Sequence, residues 1–170
     1  GAEPEALRSS PRVFDGALDA SAVAALAASP PQQWALYDRR GPAPRNVQER
    51  AVEALLSAMG DGSRYVEYWG RAQWESIPAH ADCDERALVN RSCIRTPTAA
   101  HVLYLELGSE LRAPTVLWRP AAAAAGGGEG ASLFVVPAVA GRLLRFCGEW
   151  VHGVPSPARE YIGEGDGEEE

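Results

Sequence analysis

From residue 63 onward, the chain consists of short runs rich in aromatic and β-branched residues, with glycine and proline between them. Such residues favour extended backbone, and their regular spacing is typical of a sandwich or a jelly roll. The pattern predicts strands over residues 65–69, 74–82, 101–107, 115–118, 133–136, 141–146 and 150–154. We therefore expect a mainly β fold in this part of the chain.

Two helices are predicted ahead of these strands. The alanine-rich run 22–28 has one apolar face and a candidate N-cap in Asp19 or Ser21. Asn46 opens the second helix, because Glu49 follows three residues later and completes a capping-box-like pair. The N-terminal part is therefore expected to supply helices that flank the β core, in an α+β arrangement.

The 170 residues are enough for one domain with its own core. Within it we expect a loose N-terminus through residue 12, a helical support over 13–62, a β core over 63–157 and an acidic, flexible tail over 158–170. The net charge is −7, but five acids lie in the last seven residues, which leaves −2 for the remainder. Because the sequence has no basic stripe, nucleic acid is not an expected partner.

The apolar runs and the cysteines indicate in which cellular compartment the protein is found. No run of 18 apolar residues occurs, so we expect no membrane span. Cys83, Cys93 and Cys147 are odd in number and have no Cys-x-x-Cys spacing. A secreted disulfide framework is therefore not expected, and we predict an intracellular protein of the cytoplasm or an organelle.

The histidines carry most of the functional information. His80 and Asp82 are two residues apart, so on a strand both side chains point to the same face. His152 lies in a second strand-like run and is a candidate third ligand. Two histidines and one carboxylate on one face of a metal leave three open positions, which suits non-haem Fe(II). The alternative for His80 is a surface histidine beside an acidic loop, and His101 is expected to be a strand-end or core histidine.

The order of these segments resembles the Fe(II)/2-oxoglutarate-dependent dioxygenases, in particular their prolyl-4-hydroxylase-like branch. The resemblance covers about residues 63–157. It rests on the tyrosine-rich run 65–69, the His80-x-Asp82 pair, the His-Val-Leu-Tyr-Leu run 101–105, the run 114–118 and the Gly-Arg-Leu-Leu-Arg-Phe run 141–146 ahead of His152.

The resemblance implies a fold, a set of cofactors and a reaction. The fold is a double-stranded β-helix of the jelly-roll or cupin-like kind. His80, Asp82 and His152 would bind Fe(II), with 2-oxoglutarate and O2 as cosubstrates. The family often has a tyrosine near the position of Tyr104 that touches the 2-oxoglutarate, and the alternative for Tyr104 is a core or half-buried side chain. The activity would be that of an oxidoreductase that hydroxylates an unidentified protein or small-molecule substrate.

One element of the family pattern is missing. The family anchors the far carboxylate of 2-oxoglutarate with an arginine or lysine on a last core strand beyond the distal histidine. Here only Arg159 follows, in a proline-rich stretch, and no final strand is predicted. We expect either a natural chain that continues past this point, an anchor formed by Arg159, Arg142, Arg145 or Arg119, or a degenerate site.

Three functions therefore remain open. The first is the oxygenase. The second is a non-catalytic subunit of a larger assembly that retains the oxygenase fold, and the missing anchor supports it. The third is a cupin-like protein that uses iron or zinc without 2-oxoglutarate.

Overall fold

The structure is a computed structural model that describes residues 7–71, 76–84, 93–107, 113–121 and 130–156. It is mainly β, as the sequence predicts. Its strands are β1 (Arg12–Asp15), β2 (Ala35–Asp38), β3 (Tyr65–Tyr68), β4 (Ile77–His80), β5 (Ala99–Leu103), β6 (Thr115–Arg119), β7 (Ser132–Val136), β8 (Arg142–Cys147) and β9 (Val151–Val154). Its helices are α1 (Ala20–Ala27) and α2 (Val47–Ala58).

The strands form three assemblies in which every pair is antiparallel. A three-stranded sheet has the order β1-β8-β5, and a four-stranded sheet has the order β4-β9-β6-β7. Among the described strands, β2 and β3 pair only with each other and form a separate two-stranded ribbon. From β4 onward the chain crosses repeatedly between the two larger sheets, so most paired strands in them, apart from β6 and β7, are distant in sequence.

The main core contains residues from both larger sheets. On β8, Leu144 and Phe146 belong to this core, and Leu117 of the central strand β6 joins them from the four-stranded sheet. All three are essentially inaccessible to solvent. The whole cluster of buried residues is Leu7, Ala100, Leu117, Val136, Leu144, Phe146, Cys147 and Trp150. Burial of these side chains is the main source of stabilisation, at about 1.5–3 kcal/mol for each large one.

Both helices begin where the sequence predicts. The Asp19 carboxylate accepts a 2.8 Å hydrogen bond from the Ala22 amide, which decides between the two candidate caps of α1. At α2, Asn46 accepts from the Glu49 amide at 2.7 Å. The Glu49 carboxylate is fully buried and accepts a 2.6 Å hydrogen bond from the Arg45 amide. In a capping box this bond comes from the amide of the cap residue, which here is Asn46, so the observed bond involves the residue before it.

The N-terminal segment departs from the sequence prediction. β1 is a strand of the three-stranded sheet, whereas residues 13–62 were expected to contribute mainly helical support. Leu7 is 1% exposed and belongs to the main core, so the prediction of a loose segment is wrong for it. A four-residue strand with one apolar pair has too little periodicity to be identified without its partner β8.

The later strands lie near their predicted positions, with shifted ends. β5 covers Ala99–Leu103, so it starts earlier and ends sooner than the predicted run 101–107. Most of the predicted loop 121–130 and all of the predicted tail 158–170 lie outside the described residues. In the part of the chain that the structure describes, no helix has the length and apolarity needed to span a bilayer, and all three cysteines are free thiols.

Candidate metal centre

β4 and β9 bring the three predicted ligands together. His80, the last residue of β4, lies directly opposite His152 of β9, and their ring centroids are 4.4 Å apart. Asp82 follows β4 by two residues. Its Oδ1 atom is 3.6 Å from Nε2 of His80 and 3.7 Å from Nε2 of His152. One ligand atom from each of the three side chains therefore lies within 4.8 Å of the others.

Each imidazole is oriented by its own strand. Nδ1 of His80 lies 2.9 Å from the Pro78 carbonyl oxygen, and Nδ1 of His152 lies 3.2 Å from the Trp150 carbonyl oxygen. A carbonyl only accepts, so each Nδ1 carries a proton, and Nε2 is the ring nitrogen that faces Asp82 and can bind a metal ion. Metal-binding histidines in proteins are held in this way by a hydrogen bond from the ring nitrogen that does not bind the metal.

The spacing of the donor atoms fits a single metal ion. Two ligands that are each about 2.1 Å from one ion lie about 3.0–3.5 Å apart at octahedral or tetrahedral angles. The two separations from Asp82, 3.6 and 3.7 Å, lie just above this range, and the third pair of donor atoms lies within 4.8 Å. The His152 side chain is 12% exposed, while those of His80 and Asp82 are 39% and 36% exposed, so one side of the cluster is open to solvent. Such a centre has room for further ligands besides the protein's own.

The environment of His152 favours a neutral ring. Burial lowers the pKa of His152, the Trp150 carbonyl and Asp82 raise it, and His80 lowers it further. Phe146 contacts the ring edge-on, with centroids 5.0 Å apart, and is itself fully buried. A neutral imidazole is the form that binds a metal ion, so this side chain does not have to lose a proton first.

Tyr104 lies on the inner side of the four-stranded sheet. Its hydroxyl group is 2.6 Å from Oγ1 of Thr115, which is buried on β6. Thr115 and Leu117 share one face of β6, and Leu117 is the cross-strand partner of His152. The Tyr104 hydroxyl group therefore contacts the same face of the sheet that carries His152, at the position two residues before Leu117 on β6.

The candidate anchors for a carboxylate are engaged elsewhere. Arg142 forms two hydrogen bonds with Asp15, and Arg145 donates to Asp61. Arg119 donates to the Ser9 carbonyl oxygen and to Ser132. Arg159 lies outside the described residues.

The third histidine and two of the tryptophans have other positions. His101 lies on β5 with Nε2 buried and without a hydrogen-bond partner among the described residues, and burial lowers its pKa to about 4. It is absent from the metal-ligand cluster. Trp150 is buried against Phe134, at a centroid distance of 5.5 Å, whereas Trp69 is half exposed beneath the Arg71 guanidinium.

Two neighbours of the site were not identified from the sequence. The sequence identifies Phe146 only as the end of the run 141–146, because its contact with His152 depends on the packing of the two sheets. Gly153 follows His152 directly and lies against the backbone of β4. A glycine inside a strand is a known sign of close backbone approach, and this signal was available from the sequence.

Comparison with known proteins gives no assignment. No family model matches the chain, and neither the curated proteins nor the solved structures contain a match.

Proposed function

We propose that this protein is an Fe(II)- and 2-oxoglutarate-dependent oxygenase that hydroxylates a protein or small-molecule substrate. One observation carries the proposal. His80, Asp82 and His152, selected from a sequence pattern, lie in one cluster although 70 residues separate Asp82 from His152. Two neutral imidazoles and a carboxylate form the donor set that non-haem Fe(II) enzymes use.

The strand arrangement supports a jelly-roll fold for this proposal. β4, β6, β7 and β9 belong to one sheet, and β5 and β8 to the other, so the chain crosses between the sheets as a jelly roll does. The two sheets enclose the core, and the metal ligands lie at β4 and β9 beside it. A site in this position is walled by apolar groups such as Phe146 on one side and open to solvent on another.

In the proposed reaction, this chain's residues bind, orient and shield. His80, Asp82 and His152 hold the ion, and the Pro78 and Trp150 carbonyl groups keep the two rings in the binding tautomer. The bound iron supplies the redox chemistry by which O2 and 2-oxoglutarate are consumed and a C–H bond is hydroxylated. Phe146 and Leu117 keep water away from the buried side of the site. Tyr104 is the proposed contact of the 2-oxoglutarate.

Anaerobic titration with Fe(II), with and without 2-oxoglutarate, tests this proposal. An Fe(II)–2-oxoglutarate chelate gives a weak visible charge-transfer band, and we expect this band only when both components are present. The His152→Ala variant serves as the control that should give no band. Absence of the band in the unchanged chain, at concentrations where Fe(II) is bound, would disprove the role of 2-oxoglutarate.

A second candidate is a metal protein of the same fold that does not use 2-oxoglutarate, as a cupin-like enzyme or as a subunit of a larger assembly. The observation in its favour is that Arg142, Arg145 and Arg119 already bind other groups of the chain. Metal binding without a charge-transfer band is the result that this candidate predicts.

A further inference from the structure

The two ligand-bearing strands meet at an irregular pairing. His152 and Val154, two residues apart on β9, pair with His80 and Ile77, which are three residues apart on β4. β4 therefore contains one extra residue at this point, which is a β-bulge. Gly153 is the residue of β9 that lies opposite the bulge.

A side chain at position 153 has no space. A Cβ atom there would lie 2.7 Å from the Ile77 carbonyl oxygen and 3.2–3.3 Å from the Ala79 backbone nitrogen and Cα. These distances are shorter than the optimum of about 3.5–4.0 Å between carbon atoms. All of the atoms concerned are backbone atoms, so no side-chain rotation relieves the contact. The strand β4 itself would have to move away from β9.

Such a movement would separate His152 from the other two metal ligands. β4 and the residues directly after it supply His80 and Asp82, while β9 supplies His152. Each ring is hydrogen-bonded to the carbonyl group two residues before it in the chain, so it moves with its own segment and not with the opposite one. The separation of the two strands therefore sets the separation of the metal-binding atoms.

We propose that Gly153 is the positioning residue of this centre: its missing side chain lets the β4 bulge approach β9 closely enough for His80 and Asp82 to share one metal ion with His152. The proposal deepens the proposed function, because it rests on the same three ligands. It predicts a local effect, since β9 remains paired with β6 through Val116, Leu117 and Trp118, and β4 has no second neighbour in the described sheet.

The test compares Gly153→Ala with Gly62→Ala. Gly62 is exposed, and a Cβ atom there would meet nothing within 4 Å, so it is a matched control for adding one methyl group. In protein labelled at its three histidines, we expect a nuclear Overhauser effect between the rings of His80 and His152 that Gly153→Ala removes and Gly62→Ala retains. The His101 signals should not change in either variant.

Metal affinity provides the second measurement. With Co(II) as the probe, we expect Gly153→Ala to raise the Kd about 10- to 100-fold, as loss of an orienting neighbour does at metal sites. Adding Gly153→Ala to His152→Ala should have little further effect, because the two ligands that remain, His80 and Asp82, both lie on the β4 side. An unchanged ring contact, an unchanged Kd, or a chain that fails to fold would each overturn the proposal.

The two proposals fail in different ways. If the unchanged chain binds no Co(II), the metal centre is wrong, and the ring contact still decides whether Gly153 sets the distance between β4 and β9. If the metal binds equally well to the Gly153→Ala variant, the centre stands and the role of Gly153 is wrong.

Discussion

Arg145 donates a 2.6 Å hydrogen bond from Nη2 to the Asp61 carboxylate, and their side chains are only 4% and 9% exposed. The pair joins the middle strand of the three-stranded sheet to the turn after α2. That turn is fixed by Gly60, whose positive φ of 66° allows the Asp61 amide to reach the Leu56 carbonyl oxygen at 2.8 Å. Asp61 therefore holds the helix end and the sheet together.

Removal of this carboxylate should destabilise the fold. Asp61→Ala takes the acidic partner from a buried guanidinium, for which we expect a loss of about 3 kcal/mol in the free energy of unfolding. Asp15→Ala is the matched control, because Asp15 binds Arg142 of the same strand but its side chain is 64% exposed. The control should lose much less, because an ion pair exposed to solvent is screened by water. Equal losses in urea unfolding of the two variants would contradict this assignment.

His101 should make stability depend on pH. Burial and, to a smaller extent, Arg145 lower its pKa to about 4 although Asp61 opposes the shift, against 6.5 in an unfolded chain. As pH falls from about 6.5 to 4, the unfolded chain takes up a proton that the folded chain does not, so stability decreases. The full effect is about 3 kcal/mol. His101→Gln should have a flatter stability profile between pH 7 and 4, and identical profiles would show that the ring does not titrate in this way.

His152 should be essential for metal retention but not for folding. His152→Ala removes one of three ligands, so we expect loss of bound metal after gel filtration and little change in the circular dichroism spectrum. His101→Gln removes a histidine outside the cluster and should retain the metal. Unchanged metal content in His152→Ala, measured by elemental analysis, would rule out this centre.

Tyr104 should affect the cosubstrate more than the metal. Tyr104→Phe removes the hydroxyl group that is hydrogen-bonded to Thr115, without changing the ring. We expect weaker 2-oxoglutarate binding, seen as a charge-transfer band that saturates at higher concentration, with unchanged Fe(II) affinity. Thr115→Val is the control for loss of the hydrogen bond alone, because it removes the bond between the two side chains and leaves the Tyr104 hydroxyl group in place to contact 2-oxoglutarate. If both variants saturate as the unchanged chain does, Tyr104 has no part in cosubstrate binding.

The sequence predicted local features better than their partners. The Asn46–Glu49 cap and the short apolar strands follow from near neighbours, so the pattern is sufficient to identify them. β1 was not predicted as a strand, because its extended conformation depends on pairing with β8, about 130 residues later. The same limit applies at the site. The ligand set was predicted from the His-x-Asp pair and a family resemblance. Gly153, as a glycine inside a strand, signals close backbone approach, but only the strand pairing shows that its neighbour is a bulge in β4.

The hydrogen bonds from the two imidazoles to their own strands have a consequence for the edge of the four-stranded sheet. β4 is an edge strand of the described sheet and pairs there with β9 alone, and elements with few contacts open more readily in local fluctuations. An ion shared by His80 and His152 would act as a clasp between this strand and β9. We therefore expect amide hydrogen exchange along β4 to become slower with each increase in the free metal concentration, while exchange in the ribbon of β2 and β3 stays at an unchanged rate.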